Sequence, residues 1–474
     1  MKRILLTFIV AFLVTVSIKA QHQELSEKPE MYKGKQVQKM DTSSLLYAFK
    51  KGHFNGHFRY FFMSTQNEKG LTDYYAHAAG GGIRYETAKF YGFQFAVSGF
   101  YIFNMASSDL SKADSVTGQF NRYEIALFDV EDPSNKKNLD RLEEFYLKYN
   151  YKSSAIIFGR QLINTPFINL QDGRMRATGV EGLWVEFNQL KNIKIEAGWI
   201  YAISPRGTTK WYDVGASIGV FSSGVNVDGT KSQYSNNISS KGVAILGITR
   251  TVNKNFKLQV WDIYTENVFN TTMLQMDAAF PLKNSNFIFA SAQLIKQDAL
   301  NDGGNKNADK TFFEKNGKAI SFGAKAGWKN KQWETSINYN RITSHGRYLM
   351  PREWGRDPFF TFLPRERNEG FGDVHAFMVK VNYNIPVTRI GVSLAVGYYK
   401  LPDVKNYRLN KYGVPSYTQL NADVRYSFGG LLTGFDAQLL VVGKMKSGET
   451  YQNKRFEFNK VGMIQYNFVL NFHF

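Results

Sequence analysis

Apolar and polar residues alternate with a period of two along most of the chain from residue 53 onward. In the segment 53–64, positions 54, 56, 58, 60 and 62 are Phe, Gly, Phe, Tyr and Phe, whereas 55, 57 and 59 are Asn, His and Arg. The same alternation recurs at 143–152, 192–202 and 417–428. This period predicts β-strands with one apolar and one polar face. The segments have about 10 to 13 residues, the length that a tilted membrane-spanning strand needs.

The pattern predicts about eighteen strands, with an uncertainty of two. Two segments are weaker: 75–87 carries three consecutive glycines, and 255–265 places Trp261 and Asp262 off the pattern. The predicted strand cores lie near 53–64, 75–87, 90–103, 143–152, 154–160, 179–187, 192–202, 242–250, 255–265, 272–280, 286–296, 318–328, 332–342, 374–384, 388–400, 417–428, 435–445 and 460–474.

The links between these segments alternate in length. Links after even-numbered strands have a few residues, whereas links after odd-numbered strands are mostly long, as at 104–142, 203–241 and 343–373. Outer-membrane barrels combine short periplasmic turns with long extracellular loops. The link near 266–271 is an exception, because it is short although its position is extracellular.

A transmembrane antiparallel β-barrel follows from this pattern. In hydrocarbon every backbone N–H and C=O must be paired within the protein, and strands achieve this only by closing into a barrel. About eighteen strands enclose a water-filled lumen. The Lys, Arg, Glu, Asn and Gln residues on the polar faces agree with such a lumen.

The first residues predict export. Lys2 and Arg3 precede an apolar run of about fifteen residues, and Ala20 offers a small-residue cleavage point. The predicted organisation is a signal peptide at 1–20, a periplasmic N-terminal segment at 21–52 and the barrel at 53–474. Within the second segment, 43–51 is expected to form a short helix or an extended plug.

Composition narrows the function classes. After residue 20 no apolar run reaches the ~20 residues of a spanning helix, and the mean hydropathy is −0.34. Cys is absent, and the seven His show no metal-ligand spacing. We therefore predict no enzyme activity, no cofactor and no metal site. The formal net charge of +19 fits an anion-preferring pore or contact with anionic lipid; nucleic acid is not expected as a partner of an exported chain.

The C-terminal segment alternates Ile, Tyr, Phe, Leu and Phe at even positions from 464 and ends on Phe474. Such a strand resembles the signal that outer-membrane assembly machinery reads. As the exposed edge of a soluble sheet it would invite aggregation.

Three stretches resemble OprD-type outer-membrane porins. The first, Ser44–Gly52 followed by Gly56–Phe61, looks like the start of the family's first strand. The second comprises Phe158–Pro166, Asp172–Met175 and Glu181–Gly182, and is similar to the family's third extracellular loop. Arg352–Pro358 is a weaker match. The family usually has Pro shortly after the Arg-Met pair, whereas this chain has Arg176-Ala177-Thr178.

The resemblance implies a porin of a Gram-negative outer membrane, monomeric or loosely trimeric, that takes up small, often carboxylate-bearing nutrients. It also implies that the third loop folds into the lumen and narrows it. We assign the constriction to Arg160, Asp172, Arg174 and Arg176. Surface turn chemistry around Asp172-Gly173 is the alternative interpretation of this loop.

Strand parity predicts a ladder of basic residues on the lumen wall. Nine basic residues and six acids fall on inward positions, a modest positive bias, and the fork of Arg suits carboxylates. The alternative is that these charges pair into inert ladders. Six of the nine basic residues are assigned to the ladder, namely Arg59, Arg84, Lys148, Lys325, Lys380 and Arg425.

The predicted function is passive diffusion of small hydrophilic solutes, favouring anionic or zwitterionic carboxylates. An outer-membrane barrel enzyme or a surface adhesin is the alternative. Outer-membrane lipid and lipopolysaccharide are the expected surroundings, with Trp184, Trp199 and Trp333 in interfacial girdles.

Overall fold

The computed structural model describes residues 41–170, 174–366 and 368–474, which form a closed β-barrel. Its strands are β1 (His53–Gln66), β2 (Tyr74–Glu86), β3 (Phe93–Ser107), β4 (Asp140–Tyr151), β5 (Ser154–Gln161), β6 (Gly179–Phe187), β7 (Ile193–Ser204), β8 (Val243–Thr251), β9 (Phe256–Thr265), β10 (Phe269–Pro281), β11 (Phe287–Ala299), β12 (Lys318–Lys329), β13 (Trp333–Ile342), β14 (Val374–Ile385), β15 (Ile390–Lys400), β16 (Tyr417–Ser427), β17 (Phe435–Lys446) and β18 (Met463–His473). The prediction of eighteen strands is confirmed, and each predicted segment overlaps one of them.

The barrel closes by pairing its first strand with its last. Each strand is antiparallel to its neighbours in sequence, and β1 pairs with β18 in a register that places Arg59 opposite Asn471. The terminal residue Phe474 extends this seam, because its N–H donates to the Gly56 carbonyl at 3.1 Å. Closure removes the sheet edges, as a lipid environment requires.

Side-chain alternation separates a lipid face from a lumen face. In β1, Phe58 is 40% exposed on the outside, whereas the adjacent His57 is 1% exposed on the inside. Trp199 and Trp333 lie on the outer face, and Trp333 stacks on Tyr383 with ring centroids 4.1 Å apart. The girdle prediction is wrong for Trp184, which faces inward and is buried.

Long links emerge at one end of the barrel and short turns at the other. The described parts of the loops are L1 (67–73), L2 (108–139), L3 (162–170 and 174–178), L4 (205–242), L5 (266–268), L6 (300–317), L7 (343–366 and 368–373), L8 (401–416) and L9 (447–462). L5 has three residues, so the predicted link near 266–271 is short in the structure, as the sequence indicates. L1 is short as well.

Helices are few and brief. Helix α1 (Leu45–Lys50) begins at the N-cap Ser44 and lies at the short-turn end, where Asp41–Thr42 pairs with Lys89–Phe90. Helix α2 (Val214–Ser217) belongs to L4. Single 3₁₀ turns occur at Glu124–Leu127, Lys283–Ser285, Ala308–Lys310, Gly430–Leu432 and Lys454–Phe456. No helix of the described residues has the length and apolarity to cross a membrane. The predicted signal peptide and most of the segment 21–52 lie outside the described residues.

The lumen is packed on the side of the long loops. Its largest buried cluster joins inward residues of the wall, such as Trp184 and Trp261, to Phe167 of L3, Phe313 of L6 and Trp354 of L7. The loops therefore fold back into the barrel and fill its extracellular part, which leaves the open part of the lumen toward the short turns.

Candidate pore constriction

L3 is tied to the inward face of β1. Arg59 of β1 donates from Nη1 to the Arg174 carbonyl at 2.7 Å and from Nε to Asn471 Oδ1 of β18 at 2.7 Å. Met175 lies against Gly80 of β2, where a Cβ would approach its methyl group to 3.0 Å. The closing strands of the barrel thus hold the second half of L3 inside the lumen.

L7 crosses the lumen from one wall to the other. On one side, Gln297 of β11 donates to the Leu349 carbonyl at 2.6 Å. On the other side, Gln419 of β16 donates to the Pro364 carbonyl at 2.7 Å. Arg365 donates from Nη2 to Asn467 Oδ1 of β18 at 2.6 Å. The inward amide side chains of three separated strands therefore satisfy the backbone and the guanidinium of L7, which a buried irregular segment requires.

L3 and L7 meet at Asn169. Its backbone N–H donates to the Trp354 carbonyl at 3.1 Å, its Nδ2 donates to the Arg356 carbonyl at 3.0 Å, and its Oδ1 accepts from the Arg356 N–H at 3.1 Å. Gly355 lies so close that a Cβ there would be 2.5 Å from Asn169 Oδ1. Trp354 is fully buried, and its Nε1 donates to Ser217 Oγ of L4 at 3.0 Å. The two loops form one plug.

A cavity of about 910 Å³, which we call the chamber, lies between this plug and the short turns. Asn164–Pro166 of L3 and Pro358–Pro364 of L7 border it. Its charged lining comprises five cations and five carboxylates, namely Lys194, Lys257, Lys325, Arg356, Lys380, Glu186, Glu196, Asp277, Glu334 and Asp423. The chamber is therefore polar and close to neutral, with both signs of charge on one surface.

Two lysines of the chamber pair with neighbouring carboxylates, whereas a third lysine, Lys325, does not. Lys194 pairs with Glu196 at 2.8 Å, and Lys257 pairs with Asp277 at 3.4 Å. Lys325 instead lies over the Phe289 ring, 5.2 Å from its centroid. Among the described side chains no carboxylate oxygen lies within 4 Å of the Lys325 ammonium.

All six predicted ladder residues lie on inward positions of their strands. Arg84, however, is held by Glu86 and Glu144, each at 3.0 Å, and by the Tyr146 hydroxyl at 2.7 Å. Arg425 pairs with Asp423 at 3.3 Å. The structure therefore joins part of the ladder into ion pairs within the wall, while Lys325 and Lys380 line the chamber directly.

The assignment of Arg160 to the constriction is wrong. Arg160 follows Ile156 and Phe158 on the lipid face of β5, so strand parity directs its side chain outward. It pairs there with Glu181 of β6 at 2.9 Å and lies 4.6 Å from the centroid of the Trp211 ring of L4. The inward neighbour at the root of L3 is Gln161.

The other predicted constriction residues have different positions. Asp172 lies outside the described residues. Arg174 and Arg176 are buried, and neither borders the chamber. Arg176 is fully enclosed, and no nitrogen of its guanidinium has a hydrogen-bond partner within the described part of the chain. Burial, reinforced by the nearby Arg141 guanidinium, lowers the pKa of Arg176 to about 9.

Arg141 and Glu143 of β4 hold the ends of L3 and L4 together beside Arg176. Arg141 pairs with Glu143 at 2.7 Å and donates to the Ala177 carbonyl of L3 at 2.6 Å and to the Pro205 carbonyl of L4 at 3.0 Å. Both side chains are buried. This pair positions the loop that carries Arg174 and Arg176.

Sequence reasoning missed L7 as an inward loop and Arg356 as a chamber residue. Arg356 is buried at the junction with L3 and borders the chamber, 4.9 Å from the Phe362 ring centroid. The signal was present in the Arg352–Pro358 stretch, whose resemblance to the family was noted without a role. Within the described ranges, no group of three or more His, Asp and Glu side chains is arranged to hold a metal ion.

The fold and the chamber define the class: the chain is an outer-membrane β-barrel with the architecture of a porin. The family model described as "outer membrane porin, OprD family" matches residues 111–339, just under half of the chain. A comparison with curated proteins gave no match.

Solved structures of other bacterial proteins share the fold. The structure of Pseudomonas aeruginosa OpdK with vanillate superposes with a TM-score of 0.69 at 12% identity, covering 90% of this chain and 99% of that one. The structure of OccK9 (OpdG) from the same organism superposes with a TM-score of 0.69 at 11% identity and covers 90% of this chain and 99% of that one. The structure of Acinetobacter baumannii OccAB2 superposes with a TM-score of 0.67 at 11% identity and also covers 90% of this chain and 99% of that one. The family model and the shared fold agree with the resemblance to OprD-type porins that the sequence carries.

Proposed function

We propose that the chain is a passive diffusion channel for small hydrophilic solutes and that it favours anionic or zwitterionic carboxylates. The observation that carries this proposal is the chamber, whose wall presents ammonium and carboxylate groups next to a polar plug. A zwitterion finds partners for both of its charges on such a wall. A simple anion gains from the cations that have no carboxylate at hand, of which Lys325 is the described example.

The buried arginines of the plug support the anionic preference. Arg174, Arg176 and Arg356 lie within L3 and L7, the two loops that form the plug beside the chamber. Because water is scarce around these groups, their field is screened less than in bulk water. Arg356 also borders the chamber, so a carboxylate that reaches the plug from that side lies close to its guanidinium.

Two measurements test the proposal. Purified protein in a planar bilayer should give ohmic current, and a KCl gradient should give a reversal potential of anion-selective sign. Liposomes containing the protein should swell faster in acetate and glycine than in methylammonium, because these solutes have similar size and differ in charge. A silent bilayer would refute the channel, and faster methylammonium entry would refute the preference while leaving the channel intact.

We also propose the signal peptide at 1–20, the periplasmic placement of 21–52 and recognition of the last strand by assembly machinery. Phe474 is 65% exposed, and Phe468 and Phe472 share the lipid face of β18. Phe474→Ala removes the terminal ring and keeps the seam hydrogen bonds, which use the backbone. It should lower the amount of assembled barrel in outer membranes, measured by heat-modifiable mobility on gels, while refolding in detergent is unchanged. An equal loss of assembled barrel in outer membranes and of refolding in detergent would contradict recognition of the last strand by the assembly machinery.

A further inference from the structure

A second cavity lies on the long-loop side of the barrel and shares no lining residue with the chamber. Its volume is about 240 Å³, and L4, L6, L7 and L8 form its walls. The buried side chains of Phe312, Phe313 and Leu349 make it largely apolar, whereas the exposed Val227 and Lys315 stand at its rim. We call it the loop pocket. Its size suits one ring, since drug-sized ligands need roughly 300 Å³ or more.

One wall of the loop pocket contains a buried lysine. Lys411 of L8 is 2% exposed, and its Nζ donates to the Tyr234 hydroxyl at 3.2 Å. The ammonium lies 4.5 Å from the Tyr234 ring centroid and 4.8 Å from that of Phe312. Aromatic faces attract a cation but do not neutralise it. Burial lowers the pKa of Lys411 to about 7.

A buried arginine lies in the same wall. Arg347 of L7 donates from its two Nη atoms to the carbonyls of Val225 at 2.8 Å and Asn226 at 3.0 Å, and also to that of Tyr407. Its Nε has no hydrogen-bond partner among the residues described. Burial lowers the pKa of Arg347 to about 10.

The nearby acids leave both cations without an ion pair. Glu369 is taken by Arg352 at 2.6 Å and by the Tyr412 hydroxyl at 3.1 Å. Asp302, at the rim, accepts from Lys315 at 2.8 Å. Glu314 lines the pocket, yet no described carboxylate oxygen lies within 4 Å of the Lys411 ammonium or the Arg347 guanidinium. Two buried cations that lack a counter-charge are costly, and a bound anion would remove that cost.

We propose that the loop pocket binds a small monoanion with an apolar body, of the aryl carboxylate class, at the extracellular side of the plug. The carboxylate accepts hydrogen bonds from Arg347 and Lys411, and the ring packs on Phe312, Phe313 and Leu349. Charge-assisted hydrogen bonds provide the affinity for the carboxylate, and the apolar walls select the ring. The site is separate from the chamber and does not depend on the transport proposal.

Calorimetric titration of the purified full chain in detergent at pH 6 tests this site, with benzoate as the probe. Benzamide has the same shape without charge, and acetate has the charge without the ring. Benzoate should bind saturably, and benzamide and acetate at least about tenfold more weakly, the effect of losing one charge-assisted contact or the ring packing. Saturable benzoate binding weaker than about 1 mM, or equal binding of benzamide, overturns the proposal.

Variants locate the binding. Lys411→Met should weaken benzoate binding at least about tenfold, and Lys315→Met, the same substitution at the rim, should leave it unchanged. Ala308→Trp fills the pocket from its exposed rim without touching either cation, so it tests the site even if Lys411→Met folds poorly. Loss of binding in Lys325→Gln but not in Ala308→Trp would place benzoate in the chamber, which overturns the loop pocket and leaves the channel proposal standing.

Discussion

The charge of Lys325 offers a quantitative test of how the chamber selects ions. Lys325→Gln keeps a polar side chain of similar length and removes one positive charge from the chamber wall. Because Lys325 has no described carboxylate within 4 Å, the change does not expose a buried acid. Reversal potential should therefore move toward cation selectivity.

The size of the shift follows from the volume of the chamber. A sphere of 910 Å³ has a radius of about 6 Å, and two unit charges at that distance interact by ~0.7 kcal/mol in water. An anion loses this energy and a cation gains it, so the permeability ratio changes by ~1.4 kcal/mol, or about tenfold. A lower local dielectric would enlarge the effect.

Salt provides an internal check. At ~0.01 M the Debye length is ~30 Å, so the interaction across the chamber is almost unscreened. At ~1 M the Debye length is ~3 Å, and the interaction falls to about a seventh, which leaves a change of less than about twofold. The shift should therefore be large at low salt and nearly absent at high salt.

Arg160→Gln is the matched control, because it removes a positive charge from the lipid face of β5. It should leave the reversal potential unchanged at every salt concentration. Unchanged heat-modifiable mobility would show that both variants fold. A shift of equal size in Arg160→Gln, or no shift in Lys325→Gln at low salt, would refute the placement of these two side chains.

Three further predictions concern a wall strand, the plug and a loop. Gly159→Val should reduce refolding yield on heat-modifiability gels, because its Cβ would lie 2.3 Å from the Phe145 carbonyl oxygen, whereas Gly443→Ala, which meets no atom within 4 Å, should refold normally. Trp354→Ala, which removes a fully buried ring at a cost of ~3–5 kcal/mol, should loosen L7 and raise single-channel conductance; unchanged conductance would contradict the plug. Glu457 of L9 is stabilised as a carboxylate, so pepsin should cleave L9 faster as pH falls from about 4.5 toward 2, and Glu457→Gln should remove that dependence.

The sign of the Glu457 prediction follows from its contacts. Desolvation raises the pKa of this carboxyl, but hydrogen bonds from Lys446 at 2.6 Å, Lys454 at 2.7 Å and Thr450 at 2.7 Å outweigh it and lower the pKa to about 2. The unfolded loop binds a proton at higher pH than the folded one. Stability is therefore fully present above the ordinary carboxyl pKa and is lost as the pH falls through the lowered one.

The strands could be predicted from the sequence because lipid constrains every second residue. Even the weak segment 255–265 follows that rule once the interior is known. Trp261 faces inward and packs in the buried core, and Asp262 faces outward, where it accepts from Thr272 Oγ1 at 2.6 Å. The inward Trp261 looks irregular only if the lumen is assumed to be wet along its whole length. The plug makes part of the lumen apolar.

The loops could not be predicted in the same way, because no periodic environment acts on them. The course of L7 depends on single amide contacts, such as Gln297 with Leu349 and Gln419 with Pro364, between residues far apart in the chain. Nothing local in 343–373 distinguishes a segment that enters the lumen from one that stays outside. The resemblance of Arg352–Pro358 to the family was the one available signal, and it did not indicate whether the loop turns into the lumen or away from it.

Arg160 and Arg176 show the difference between a position that strand parity determines and one that loop packing determines. Arg160 precedes L3 and Arg176 lies within it, and the sequence assigns both to the constriction. Strand parity, which lipid enforces, places Arg160 outside with Glu181, whereas loop packing, which lipid does not reach, encloses Arg176 beside Arg141. The barrel wall therefore follows from the period of the sequence. Selectivity depends on which loop side chains the enclosed wall can hold, so it has to be measured residue by residue.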